Sequence, residues 1–353
     1  MMTSLILSST VRPGQAATCG VRRLFRASGV IGMVAAAASL AAGAEGRIGM
    51  ERLPDRVRVT LDGAEFTNYI YAGPGRAKPV LHPLRGPNGV PLTRSWPLGP
   101  LLAGEPKDHP HHESFWFAHG DVNGHDFWTG RGGARIEHVA IDRADDGVIE
   151  ARCRWLTADG TEVCRDRRTM RFAAVGTDRT IDHEITITAG AMPVVFGDTK
   201  EGTMAVRVRP ELTVAAAGGT PDGTGHYVSA TGDRDKRAWG RPAAWVDLSG
   251  VVGGRTLGLA CFDHPANLRH PTTWHARGYG LFAANPFGLH DFTGAAAGTG
   301  RVVIAPGGSL TLRHRWLLHA GDAAEARIAD RYAAWVGPGD ASAPVEPGAA
   351  EGR

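Results

Sequence analysis

The chain is poor in cysteine, with four in 353 residues. A disulfide-stapled scaffold is excluded on that count, because a chain of this length can bury a sizeable core without covalent help. Cys19 lies in the amino-terminal leader described below. Cys153 and Cys164 flank an Asp159-Gly160 turn that sets them on one face but diagonally offset by about 7–8 Å, long for a bridge. With Cys261, three thiols are expected.

A basic surplus is also missing. Formal charge is +3, yet four of the 39 basic residues are arginines within residues 1–44, a stretch without acids; the remainder sets 35 basic against 36 acidic side chains, net −1. No nucleic-acid footprint remains. Beyond the leader there is no run of about 20 apolar residues able to span a bilayer, so no integral membrane association is expected once the leader is removed.

Residues 22–26, "RRLFR", precede the apolar "ASGVIGMVAAAASLAAGA", which ends in Ala42-Gly43-Ala44. This reads as an export signal over 1–44 with a small-residue cleavage site, and Arg22-Arg23 followed by Leu24-Phe25 resembles a twin-arginine signal. Periplasmic or extracellular location follows; a start at Met33 or Met50 would instead leave the protein in the cytoplasm.

Glycine is plentiful at 48 residues, beside 22 prolines, which points to many turns joining short strands. "VRVTLDGAEFTNYIY" (57–71) reads as a hairpin about Asp62-Gly63. From 135 onward, "RIEHVAID", "VIEARCRWL", "TEVCRDRRTMRFAAV" and "RTIDHEITITA" are successive strands, and Ile181, His183, Ile185 and Ile187 share one face of the last. "TMAVRVRPEL", "AAWVDLS", "RTLGLACFD", "GRVVIA" and "SLTLRHRWLLHA" extend the series. Only "DAAEARIADRYAAWV" (322–336) has helical spacing, with Asp322 and Glu325 placed as a capping box. The fold expected is all-β, a large antiparallel β-sandwich with one C-terminal helix, in a single domain over 50–336 and a disordered tail over 337–353.

Three segments break the alternation and concentrate reactive groups. "DHPHHESFWFAHGDVNGHDFW" (108–128) holds five of fifteen histidines. Pro110 calls for extended backbone before it, which would send His109 and His111 one way and His112 the other. "FGDTKEGTM" (196–204) sets Asp198, Lys200 and Glu201 together, where neighbouring charges move one another's pKa. "FDHPANLRHPTTWHARGYGLFAANPFGLHDF" (262–292) supplies His264, Arg269, His270, Trp274, His275, Arg277, Tyr279, Asn285 and His290. His138, His183, His314 and His319 sit on ordinary strand patterns and read as structural.

Together "DHPHHESFWFAHGDVNGHDFW", "GDTKEGTMAVRV", "WVDLSG" and "DHPANLRHPTTWHARGYGLFAANPFG" resemble the PmoA-like family, a bacterial domain of unknown function often labelled "methane oxygenase", over residues 56–335. That label implies an integral membrane subunit, which the lack of a spanning segment argues against. A looser resemblance is to galactose-mutarotase-like supersandwich proteins, which implies a carbohydrate cleft lined by histidines and carboxylates; this is fold-level analogy.

Sugar hydroxyls need proton traffic near neutral pH, where imidazole titrates. The expected reading is a carbohydrate-active isomerase, lyase or hydrolase with a small-molecule or oligosaccharide substrate. His112, His119 and His275 are its acid–base candidates, with Glu201 as base. His111, Asp121, Asn123, Asp198, Lys200, Arg269 and Asn285 are its substrate contacts. One alternative is a divalent metal (zinc, copper or iron) held by His109, His111, His264 and His270, with His119 and His275 as further ligands, although no H-E-x-x-H spacing occurs. Another is a non-catalytic sugar-binding module.

Overall fold

The computed structural model describes residues 46–340, so the export signal expected over 1–44 and the last thirteen residues of the tail lie outside the described residues. Two eight-stranded antiparallel sheets make up the body. Across the first, the spatial order is Ile48–Arg52, Arg56–Leu61, Ala64–Ile70, Val80–Leu81, Phe115–His119, Gly202–Arg207, Leu281–Asn285 and Thr273–Ala276. Across the second it is His226–Ser229, Trp245–Val252, Arg255–Asp263, Ser309–Ala320, Asp178–Ala189, Glu162–Val175, Val148–Leu156 and Arg135–Asp145. A two-stranded ribbon, Val194–Phe196 with Val302–Ile304, completes the sheet structure.

The two sheets bury their facing sides against each other. Phe115 and Phe282 meet Trp316 at 5.6 and 5.1 Å, Phe117 meets Trp155 at 6.3 Å, and Phe66 meets Phe172 at 5.8 Å between ring centres, in edge-on geometries that aromatic pairs favour. Alternation of buried with exposed or half-buried residues in Glu162–Val175 and Asp178–Ala189 marks strands with one face in the core and one toward solvent. By contrast every residue of Phe115–His119, Gly202–Arg207, Leu281–Asn285 and Thr273–Ala276 is buried. These four neighbours in the first sheet are covered on both faces, and the cover on the outer face is where the reactive segments lie.

The hairpin turn is as expected: Asp62 and Gly63 have φ of +51° and +82°, the pair of left-handed residues that a two-residue turn between twisted strands requires. Two boundaries differ. The first strand begins at Ile48, ahead of the 50–336 domain expected, and pairs with Val57–Leu61, because that strand offers a free edge. The C-terminal helix spans Ile328–Asp340, with non-helical backbone at Gly337 (φ +71°), rather than 322–336. The capping box nonetheless exists: Glu325 N–H donates to Asp322 Oδ1 at 3.0 Å and Asp322 N–H to Glu325 Oε2 at 3.1 Å. It closes a preliminary turn, after which Ile328, with Ala326, seals against Ala260, Phe262 and Leu317 on the outer face of the second sheet. Cys153, Cys164 and Cys261 are free and buried, and Cys153 lies diagonal to Cys164 across the ladder. Among the described residues no helix is long and apolar enough to cross a membrane.

Candidate functional site

Strand register builds the site from the sheet outward. Phe117, Met204, Ala284 and Trp274 form one row across the four doubly covered strands, and Trp116, Ala205, Ala283 and His275 form the next. Successive side chains point to opposite faces, so the first row faces the second sheet and the second row faces away from it. Arg207 falls on the same outer face as Ala205. Trp116 is capped there by His112, stacked at 5.4 Å, and by Trp128 at 5.0 Å.

The His109–His112 stretch is not extended. His109 has φ +43° and its carbonyl accepts from His112 N–H at 2.9 Å, a tight turn that overrides the preference set by Pro110. The reason is a buried guanidinium. Arg94 donates to the carbonyls of Pro106, Asp108, His109 and His112 at 2.9–3.3 Å and to Asp108 Oδ1 at 2.7 Å, and Lys78 Nζ donates to His111 O at 2.9 Å. Buried cations demand acceptors, and only a curled turn offers so many at once. Burial lowers Lys78 to about 8, and burial together with Arg207 lowers Arg94 to about 10. The imidazoles therefore gather instead of diverging: His109 stacks on His112 at 4.8 Å, and His111 meets His112 edge-on at 4.4 Å.

Arg207 ties this turn to the sheet. Its Nη2 donates to both Asp108 oxygens at 2.8 and 3.0 Å, and its Nη1 lies 3.2 Å from His112 Nδ1. An arginine has no acceptor to offer, so His112 Nδ1 must accept and the neutral ring carries its hydrogen on Nε2. Burial would raise the Asp108 carboxyl, but Arg207 outweighs it and the net position is below the ordinary value. Arg207 also lies 4.7 Å from the ring centre of Tyr279, which stacks on His109 at 5.2 Å.

The third and second segments converge on the same ring. Tyr279 is pushed up by burial, and the charges acting on it come from Arg277, Arg207, Glu201 and Asp108. His275 is pushed down to about 3, first by burial and then by Arg277, and it also feels Lys200 and His109. Glu201 is half-exposed and pairs with Lys200 at 3.3 Å. Burial similarly lowers His111 to about 4 and His112 well below the ordinary imidazole range. Beside Tyr279 opens a hollow of about 560 Å³ lined by Arg277, Trp239, Lys236, Ala276, Gly278 and neighbouring small residues, within the range of roughly 300–1,000 Å³ usual for small-molecule sites.

Other expected site residues serve the scaffold. His119 alternates onto the face of Phe117, opposite to Trp116 and His112, and lies buried between Phe196 and Phe287 with Nε2 2.8 Å from Gly197 O, so the structure does not bring it to the cluster on the outer face. Asp198 accepts the backbone N–H groups of His290 and Gly300, both at 2.9 Å. Asn285 donates to Thr199 O and Lys200 O at 3.0 Å and accepts from Phe287 N–H. Arg269 donates to four carbonyls between Pro286 and Arg301. Asn123 clamps Pro193 and Val195, and Asp121 closes its own turn on Gly124 N–H. Loops rich in glycine and proline leave many backbone groups without ladder partners, and these side chains supply them.

The metal reading finds no cage: among the described residues no three His, Cys, Asp or Glu side chains converge as ligands. His270 Nδ1 pairs with buried Asp263 at 2.7 Å and His264 packs edge-on to Trp335, whereas His109 and His111 belong to the turn over Trp116. His183, His314 and His319 are buried and His138 is half-buried; His319 pairs with Asp247 at 2.7 Å. Sequence reasoning passed over Arg94 and Arg207, the two cations that shape the site. The signal was a lone charge inside the apolar "TMAVRV" strand, which must find a buried partner.

No curated protein matches the chain. Among solved structures, it is similar to a galactose mutarotase-like protein from Clostridium acetobutylicum, at 10% identity and a TM-score of 0.36, with 79% of this chain and 99% of that one covered. An alpha-galactosidase from Lactobacillus brevis is matched at 8% identity and a TM-score of 0.33, over 78% of this chain and 40% of that one. A GH36 alpha-galactosidase from Geobacillus stearothermophilus in complex with raffinose is matched at 11% identity and a TM-score of 0.31, over 78% and 41%. The chain thus spans well under half of either galactosidase. A family model covers residues 56–333, and the PmoA-like resemblance finds no support in it. The chain belongs to the family of unknown function DUF6807.

Proposed function

We propose that the outer face of the first sheet carries a carbohydrate site, that proton transfer there is carried out by Glu201 with His112 and His275, and that the protein acts outside the cytoplasm once residues 1–44 are removed. The observation that supports this most directly is convergence: segments 108–112, 200–207 and 275–279, far apart in sequence, meet at the single ring of Tyr279, with His109 stacked on it at 5.2 Å and Arg207 and Arg277 at 4.7 and 5.7 Å, beside one hollow. An aromatic floor with polar groups at its rim suits a sugar ring, whose faces are apolar and whose edges carry hydroxyls.

Glu201 is half-exposed and held near Lys200, whereas Asp108 is bound by Arg94 and Arg207, so Glu201 is the carboxylate that takes a proton from a sugar carbon or water. His112, neutral with its hydrogen on Nε2, donates a hydrogen bond to the oxygen that gains charge, and the proton taken by Glu201 is returned to the product. Epimerisation, lysis and hydrolysis all use such a pair.

The test is a panel of neutral and acidic mono- and oligosaccharides followed by NMR for binding and product. Glu201→Gln is expected to lower kcat/KM by about 100-fold with unchanged thermal melting. Unchanged turnover in both Glu201→Gln and His112→Gln removes the acid–base reading, and no binding of any sugar at millimolar concentration removes the site.

One observation favours a second reading, a sugar-binding module without catalysis. Burial holds His111 near 4 and His275 near 3, so at neutral pH these rings are weak bases suited to hydrogen bonding. Saturable binding with no product across the panel supports it.

A further inference from the structure

Resting on the carbohydrate reading above, we infer that the hollow beside Tyr279 takes an anionic sugar, its acid group set on Arg277 and Lys236 and its ring against Tyr279 and Trp239. The wall supplies two cations, two aromatic rings and small residues, and among the described residues no carboxylate lines it.

The state of Arg277 is the second support. Exposed arginines such as Arg131, Arg171, Arg237 and Arg301 lack an ion pair among the described residues, whereas half-buried ones are held, Arg315 by Asp182, Arg209 by Glu211 and Arg313 by Glu184. Arg207 and Arg94, its neighbours in the site, are both held by Asp108. Arg277 is half-buried and touches the Tyr279 ring at 5.7 Å, yet among the described residues its guanidinium has no ion pair or hydrogen bond. A partly desolvated guanidinium with its fork free beside a hollow is completed by a planar or tetrahedral oxyanion arriving from outside, since five fixed donors match carboxylate and phosphate alike. Lys236, exposed and likewise without a carboxylate partner among the described residues, adds a point charge on the same wall. Ring stacking on Tyr279 fixes the sugar, and the cations select its charge.

Isothermal titration of the full-length protein with D-galacturonate and D-glucuronate oligomers, glucose 6-phosphate, and neutral galactose and glucose oligomers tests this. Acidic sugars are expected to bind at least tenfold more tightly than neutral ones at low salt, and to lose that margin at 0.5 M NaCl. Arg277→Gln is expected to cost acidic sugars tenfold or more while leaving neutral ones within twofold, and Lys236→Ala, at an exposed position that folding tolerates, to cost them several-fold. Preference among uronate and phosphate arms identifies the acid group. Neutral sugars binding as tightly as acidic ones, or acidic affinity within twofold in both variants, overturns this inference while leaving the carbohydrate site standing; no binding of any sugar removes both.

Discussion

Arg94 shows how one residue decides the shape of a site. It is 1% exposed, and its two Nη groups serve four carbonyls and the Asp108 carboxylate while its Nε–H has no partner. Removing it strands those acceptors and leaves Asp108 with Arg207 and His109. We expect Arg94→Met to cost about 3 kcal/mol in urea unfolding and to release the His109–His112 turn. Arg152→Met, which breaks the exposed pair with Asp142, is expected to change stability by no more than about 0.5 kcal/mol. Equal losses in the two variants would mean that the turn does not depend on Arg94. This residue also marks where sequence reading fails. The local preference set by Pro110 was legible; a buried cation at position 94 overriding it was not, because that contact bridges more than a dozen residues of irregular loop.

At the scale of elements, the strands were largely legible and their exact company was not. Glu162–Val175 and Asp178–Ala189 match the alternating runs, since one face of each meets the core and period two survives. The doubly buried Phe115–His119 lacks that contrast, so the face presented by His119 could not be assigned from pattern alone. Its neighbour Gly202 pairs with it in register, and a Cβ there would lie 2.4 Å from His119 Nδ1. Gly202→Ala is expected to destabilise by about 2 kcal/mol, with a less than additive effect when combined with His119→Ser, because the serine vacates the colliding ring. Strict additivity in urea unfolding would show that the imidazole is not the obstacle.

For the whole molecule, imidazoles set the acid limit. Burial holds His82, His119, His138 and His314 near 4 and His275 near 3, whereas an unfolded chain titrates them near 6.5. Folded values below unfolded ones mean stability that is present above about pH 6.5 and lost as pH falls toward 4, as the unfolded state takes up the protons. His319 works the other way. Burial opposes its charge, but Asp247 outweighs burial and raises its pKa, so its contribution is present below about pH 6.5 and lost as pH rises through the folded value; the five depressed rings outnumber it. Urea midpoints between pH 7 and 5, a window above most carboxylate titration, are expected to fall with an uptake of more than one proton on unfolding. A flat profile would show these rings are hydrated in solution. Fifteen histidines announced titration chemistry from the sequence, but which are sealed and which line a hollow depends on loops crossing the outer face of one sheet, a tertiary fact without a local signature.

Cys153, held up near 12 by burial, and its two companions carry a consequence for biogenesis. Three sulfhydryls shut away from reagents and never joined leave the final shape indifferent to the redox poise of the compartment where the polypeptide matures. Refolding from urea is expected to give the same yield in dithiothreitol as in air, and a thiol reagent is expected to label these three positions only after denaturation. An air-dependent yield would mean that oxidation helps assemble this protein after all.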